Sequence, residues 1–240
     1  INMYKLYQKN EFAFALLWIG IYCVIMTPLR DKFGDESIFV VLVLASMATT
    51  IRLWIQKHDL KEKYGLKSWP KNSKRFLYFI PVWILATGNL WGGFKLSYSG
   101  INQLWAVLSM LLVGYIEEVI FRGFLFKGLL KKYGGTKAIV IVAVTFGIGH
   151  IVNLLSGQTD VETIGQIFFA VGWGFMFTII FYKSKSLLPC ILAHGLVDAF
   201  SKFGVERVGS QHIYIITTIV VALMYCPYML RSKDKYKLTE

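Results

Sequence analysis

Eight long apolar runs, separated by short polar segments, determine what this chain can fold into. A helix needs about 20 residues to cross the hydrocarbon core of a bilayer. The chain is 55% hydrophobic and only 17% charged, against roughly 25% charged residues in a typical soluble domain. We therefore predict an all-α, polytopic membrane protein that forms a single integral membrane domain over residues 1–240. The predicted spans are about 11–29, 37–55, 76–93, 101–126, 138–155, 162–182, 187–204 and 212–230.

The basic residues predict how the spans are oriented. An even number of spans places both termini on one side of the membrane, and 19 of the 26 Lys and Arg residues then fall in the segments on the side of the termini. Five fall in the loops on the other side, and Arg52 and Arg122 lie within spans. Cytoplasmic loops carry the excess of Lys and Arg, so we predict a multi-pass protein of the cell membrane with both termini in the cytoplasm.

The net charge of +12 is the one feature that could suggest a nucleic-acid partner. Its basic residues occur in short clusters between apolar runs, and no basic face or nucleic-acid-binding motif accompanies them. We predict the lipid bilayer and a peptide or membrane-protein substrate as partners, no nucleic acid, and leave the oligomeric state open.

Ionisable residues inside spans are rare and costly, and by default they indicate function. Here they concentrate in the fourth, fifth and seventh spans, where a rise of 1.5 Å per residue places them at similar depths, roughly 10 to 20 Å below the cytoplasmic surface. We therefore predict a buried site among these three spans. Its candidate residues are Glu117, Glu118, Arg122, His150, His194 and Asp198.

Helix geometry divides these residues between two tasks. Glu118 and Arg122 are four apart and share one helix face, so Glu118 can neutralise Arg122 in a brace between helices. Glu117 diverges from Glu118 by about 100° around the helix axis and is free to meet the residues of the other two spans. A glutamate beside an activated water is the usual general base for peptide hydrolysis.

The charge of the set suggests a cofactor. With neutral imidazoles the six side chains sum to minus two, a buried excess that asks for a divalent cation, protonated histidines or a protonated carboxyl. Glutamate, aspartate and histidine also suit zinc, although the H-E-x-x-H motif is absent. We predict Zn²⁺ or another divalent metal as a cofactor that these residues could bind. Its candidate ligands are Glu117, His150, His194 and Asp198.

Three short motifs carry a resemblance to a known family. Glu117-Glu118-V-I-F-Arg122 resembles E-E-x-x-x-R, Phe146-G-I-G-His150 resembles F-x-x-x-H, and His194-G-L-V-Asp198 resembles H-x-x-x-N/D. Together, in this order, they are typical of the CPBP family of CAAX proteases and bacteriocin-processing enzymes, also called Abi-type proteins. The motif-bearing protease core is about 101–204.

The resemblance implies an all-helical intramembrane peptidase, metal- or glutamate-dependent. Glu117 would activate the hydrolytic water with help from His150, and His194 with Asp198 would bind a metal or stabilise the oxyanion. Glu118 and Arg122 would hold the site in shape. Prenyl-CAAX endoproteases generally carry Asn where this chain has Asp198, so their substrate preference does not transfer with the motifs.

These observations favour an intramembrane endopeptidase that cleaves a peptide or membrane protein near the cytoplasmic face, in peptide or bacteriocin maturation or in self-immunity. The alternative is a non-catalytic immunity or scaffold protein of the same fold that binds a membrane partner. A proton-coupled transporter is a third hypothesis, since buried Glu and His also relay protons. Transporters often show internal symmetry and paired broken helices, and the sequence shows neither.

Overall fold

A computed structural model describes residues 2–70, 79–156 and 159–231. Regular structure in these residues is almost wholly helical, and their one β pairing is an isolated bridge between Phe94 and Gly204. The helices are α1 Met3–Lys9, α2 Glu11–Phe33, α3 Ile38–Lys57, α4 Ile80–Ala86, α5 Ile101–Glu118, α6 Phe126–Tyr133, α7 Gly135–Gly149, α8 Asp160–Ser184, α9 Leu188–Ser201 and α10 Val208–Arg231. Two short 3₁₀ segments are Gly88–Leu90 and His150–Ser156.

Six helical stretches in the described residues are long and apolar enough to cross a membrane, and the all-α membrane fold is thereby confirmed. They are Glu11–Phe33, Ile38–Lys57, Ile101–Tyr133, Gly135–Val152, Thr163–Ser184 and Val208–Arg231. The seventh predicted span corresponds to α9, a shorter apolar helix. The third corresponds in part to the seven residues of α4, and its first residues lie outside those described. The predicted count of eight is therefore not confirmed.

The longest helix carries the E-E-x-x-x-R motif. It runs from Ile101 through a π-helical segment, Val119–Leu125, to Tyr133. Glycines in the left-handed region bracket it: Gly100 precedes it with φ +56° and Gly134 ends it with φ +75°, conformations that only glycine adopts readily. Short π-helical segments are frequent at functional sites, and this one begins directly after Glu118.

Small residues allow the motif-bearing helices to approach closely. A Cβ atom on Gly114 of α5 would lie 2.6 Å from the backbone nitrogen of Gly195 on α9. A Cβ atom on Gly174 of α8 would lie 2.9 Å from the Cα of Ala143 on α7. Such contacts bring helix backbones together in membranes, so α9 lies directly against the part of α5 that precedes Glu117.

The connections between helices separate into two ends of the bundle. At one end, residues 57–68, 127–137 and 182–187 meet: the Leu187 amide donates to the Gly65 carbonyl at 2.9 Å, and Ser186 Oγ donates to the Ser68 carbonyl at 2.9 Å. We call this the Lys-rich end. At the other, residues 30–37, 87–100 and 201–207 meet: the Lys95 amide donates to the Phe203 carbonyl at 2.7 Å. We call this the Asp35 end.

Candidate active site

Glu118 and Arg122 form a buried ion pair where α5 passes into the π-helical segment. Arg122 Nη1 lies 2.8 Å from Glu118 Oε1, and both side chains are 0% exposed. The guanidinium carbon is 4.2 Å from the ring centroid of Phe146 and 5.5 Å from that of Phe177. The pair expected from the i,i+4 spacing is present, and aromatic rings cover its cation.

Glu118 also holds His194, a contact that sequence reasoning missed. His194 Nδ1 lies 2.8 Å from Glu118 Oε1. Because an ionised carboxylate only accepts hydrogen bonds, Nδ1 carries the proton and donates it to Glu118. The imidazole is stacked on Phe177, at 5.6 Å between centroids, and forms a T-shaped contact with Phe146 at 5.7 Å. Its orientation is therefore fixed, with Nε2 turned to the remaining acids.

Those acids are Glu117 and Asp198. Glu117 Oε2 lies 3.8 Å from His194 Nε2, and Asp198 Oδ2 lies 3.4 Å from the same atom. Asp198 reaches it from one turn further along α9, whereas Glu117 reaches it across the α5–α9 contact. The structure thus gathers two acids around one imidazole nitrogen, next to a third acid on the other nitrogen.

Tyr22 is a partner of Glu117 from outside the motifs. Its hydroxyl donates to Glu117 Oε1 at 2.9 Å, and the side chain is buried on α2. Tyr22 stands in an apolar run, 95 residues from Glu117, so no spacing in the sequence indicates the contact. The hydrogen bond holds one carboxylate oxygen of Glu117 and leaves the other facing His194.

His150 reaches the site from the end of α7. It follows Gly149 as the first residue of the 3₁₀ segment and is half-buried. Phe146, one turn earlier, contacts both His150 and His194 with its ring nearly perpendicular to theirs. Phe146 therefore lies between the two histidines and under the Arg122 guanidinium, which gives the first position of F-x-x-x-H a packing role.

A cavity of about 700 Å³ connects these residues to the Asp35 end. Glu117, His150, His194 and Asp198 line it, as do Tyr22 and side chains from α8. Toward the Asp35 end its lining residues are Arg30, Asp31, Asp35, Asn89, Tyr98, Ser201 and Lys202. The four predicted residues that line it therefore share one cavity with the polar side chains of the Asp35 end.

Asp35 ties two helices together beside this cavity. Its Oδ1 lies 2.6 Å from Arg30 Nε on α2, and its Oδ2 lies 2.7 Å from Lys202 Nζ just after α9. Burial raises the pKa of Asp35, but the hydrogen bond and charge of Arg30, with those of Lys202, outweigh it and lower the pKa to about 2. The carboxylate is therefore ionised at neutral pH, and neither the sequence motifs nor their spacing indicated this cluster.

The predicted metal ligands are four side chains of this site, Glu117, His150, His194 and Asp198. Within the described residues, no group of three or more His, Cys, Asp or Glu side chains is placed to hold a metal ion. His194 Nδ1 is engaged by Glu118 and is not available as a ligand. Its Nε2 faces Glu117 and Asp198 at 3.8 and 3.4 Å, so a metal cofactor stays a prediction, and the proposed chemistry uses none.

Comparison with known families gives a match to part of the chain. The family model described as type II CAAX prenyl endopeptidase, Rce1-like, matches residues 99–200. No curated protein and no solved structure matches the chain significantly. The matched segment contains all six candidate polar residues, Glu117 to Asp198. This match agrees with the resemblance of the three motifs, within residues 99–200, to the CAAX protease family, CPBP.

Proposed function

We propose that the chain is an intramembrane endopeptidase in which Glu117 is the general base. One observation carries the assignment: of the two adjacent glutamates, Glu118 is fully enclosed by Arg122 and His194, whereas Glu117 borders the cavity. A general base must reach the water that it deprotonates. Glu117 meets this requirement and Glu118, at 0% exposure, does not.

The residues suggest a sequence of proton movements. Glu117 takes a proton from a water in the cavity, and the water oxygen bonds to the scissile carbonyl carbon. The carbon–nitrogen bond then breaks, and the proton passes from Glu117 to the leaving amine. Atoms and charge balance without a further reactant, since the products are a carboxylic acid and an amine.

Stabilisation of the oxyanion is assigned to the histidines. Because Nδ1 of His194 donates to Glu118, Nε2 is the ring nitrogen that faces the cavity. With a proton on Nε2, the ring can donate a hydrogen bond into the cavity. His150 borders the same cavity and would assist in placing the water. A carboxylate only accepts hydrogen bonds, so Asp198 would not donate to the oxyanion; at 3.4 Å from His194 Nε2 it would help to orient that ring.

Substitution of Glu117 and His150 in cells tests this proposal. In Glu117→Ala or His150→Ala, peptide termini that depend on the wild-type protein should disappear from the membrane fraction, as read by mass spectrometry. Glu206→Ala is a matched control, since Glu206 is exposed and lies outside the matched segment. Unchanged termini in stably folded Glu117 and His150 variants would overturn the peptidase assignment.

The metal prediction has its own test. Purified protein should cleave its substrate after chelator treatment if Glu117 alone activates water. Loss of cleavage on chelation, restored by Zn²⁺, together with metal that is bound by the wild type and not by a Glu117 variant, would establish a divalent cation in the site.

The same alanine variants of Glu117 and His150 also test the biological role. Peptide or bacteriocin maturation requires the Glu117 carboxylate, as does self-immunity that depends on cleavage. A non-catalytic immunity or scaffold protein requires the fold alone. Full phenotype in both alanine variants would favour the scaffold function over the peptidase.

A further inference from the structure

The cavity that Glu117 lines is open at one end and closed at the other. Its exposed lining residues, Asp31 and Ser201, both lie at the Asp35 end. Glu117 and His194 lie deep in it and are mostly buried, with side chains 15% and 8% exposed. Among the described residues, the route from solvent to Glu117 therefore begins at the Asp35 end.

Aromatic packing closes the opposite direction. Between the Glu118–Arg122 pair and the Lys-rich end, Phe124 packs against Tyr64 at 5.2 Å between centroids, and Phe126 packs against Phe181 at 6.0 Å. These four rings are 0 to 2% exposed. A close-packed apolar layer excludes water, so it separates the site from the Lys-rich end.

The basic residues are concentrated at the end of the bundle opposite the cavity opening. Connecting segments at the Lys-rich end carry four Lys residues over 57–68, four over 127–137 and two over 182–187. At the Asp35 end the numbers of Lys and Arg residues are two over 30–37, one over 87–100 and two over 201–207. The positive-inside rule places the Lys-rich end in the cytoplasm.

We propose that the active-site cavity opens on the extracytoplasmic side of the membrane, and that its substrate is a polar peptide segment entering from that side. The substrate class rests on the proposed peptidase function, whereas the side of opening does not. At the mouth, Arg30 and Lys202 are both paired with Asp35, which leaves a polar rim suited to peptide groups.

This proposal replaces the sequence-based expectation of a site near the cytoplasmic face. That expectation counted residues from the cytoplasmic end of each span. In the structure His150 follows the last residue of α7, and Asp198 lies three residues before the end of α9, so both are close to the Asp35 end. Glu117 lies near the middle of the 33-residue helix.

Single-cysteine labelling tests the side of opening without requiring activity. Of the native cysteines, Cys23 is half-buried and lines the cavity, whereas Cys190 and Cys226 are buried. In a chain freed of these three, Ser201→Cys reports the mouth and Lys131→Cys reports the Lys-rich end; both positions are exposed. A third chain that keeps only Cys23 reports the cavity.

A charged, membrane-impermeant thiosulfonate is applied to right-side-out and inside-out vesicles. We expect S201C and Cys23 to react in right-side-out vesicles and to lose that reaction in inside-out ones, with K131C showing the reverse. Reaction of S201C only in inside-out vesicles would overturn the orientation. Reaction of S201C from outside without any reaction of Cys23 would overturn access to the cavity through this mouth.

The substrate class is tested separately by mapping the termini lost in Glu117→Ala cells. The proposal expects them on extracytoplasmic segments of membrane or exported peptides. Lost termini on cytoplasmic tails would contradict the substrate class. Labelling as expected, with no termini lost at all, would retain the orientation and remove the proposed peptidase function, so the two failures are distinguishable.

Discussion

Glu117 and Glu118 are neighbours in the chain but belong to two different regions of the molecule. Glu118 lies in a sealed region with Arg122, His194 and two aromatic rings, and its side chain is 0% exposed. Glu117 lies in an open region with Tyr22 and the cavity. The difference shows how a pair of identical side chains on one helix can divide structural and chemical work, because a turn of about 100° separates their environments.

The largest expected effect breaks the sealed region. Arg122→Ala leaves Glu118 buried without its cation, and removal of one partner from a buried pair costs about 3–5 kcal/mol. We expect a large fall in the thermal unfolding midpoint of the detergent-purified protein. Lys67→Ala is the control, since the Lys67–Glu62 pair is 70% and 82% exposed and such pairs contribute about 0–1 kcal/mol. Equal midpoints for the two variants would contradict a sealed region.

A smaller effect separates the two regions from each other. Gly114→Ala places a Cβ atom 2.6 Å from the Gly195 backbone, and overpacking of this kind costs typically about 1–3 kcal/mol. Because α5 and α9 must move apart, both stability and cleavage should fall. Gly20→Ala is the matched control, with nothing within 4 Å of the added atom. A Gly114 variant that kept wild-type cleavage would show that the α5–α9 contact does not position His194.

Tyr22→Phe acts on the open region alone. Hydrogen bonds to charged groups contribute about 1.5–3 kcal/mol, and Tyr22 holds Glu117 rather than substrate. We expect kcat to fall by roughly tenfold or more with KM nearly unchanged, together with a modest fall in the unfolding midpoint. Tyr214→Phe controls for loss of a buried hydroxyl, since Tyr214 is buried on α10. A comparable loss of substrate binding, seen as a rise in KM, would contradict the positioning role of Tyr22. An unchanged kcat would contradict it as well.

The smallest effect concerns the mouth of the open region and depends on pH. The pKa of Asp35 in the folded protein is about 2, below its ordinary value of about 3.9. Its contribution to stability is therefore present above about pH 4 and is lost as the pH falls through 2. Asp35→Asn should flatten the acid limb of the unfolding midpoint in this window. Asp31→Asn, an exposed acid at the same end, should leave that limb as in the wild type.

What the sequence could predict depended on how local each feature is. The apolar runs predicted the membrane fold, and the i,i+4 spacing predicted the Glu118–Arg122 pair, because both depend on one helix. The Glu118–His194 contact depends on how closely Gly114 meets Gly195, which no local pattern shows. Tyr22 lies in a helix outside the matched segment.

The number of spans shows the same limit. The third predicted span contains Pro81 and a Gly-rich end, and its described part holds the seven-residue helix α4 and the 3₁₀ segment Gly88–Leu90. The proposed direction in which the site opens could not be obtained from residue counts along single spans. It depends on which loops the cavity reaches, and therefore on the packing of all the helices.

The cleavage rate of purified Glu117→Gln, on the peptide whose termini depend on the wild type, tests the central claim most directly. Loss of a general base lowers rates by about 10²–10⁴-fold, and because Glu117 lies in the open region the unfolding midpoint should stay close to that of the wild type. A folded Glu117→Gln protein that cleaves at the wild-type rate would contradict the assignment of chemistry to Glu117 and of structure to Glu118.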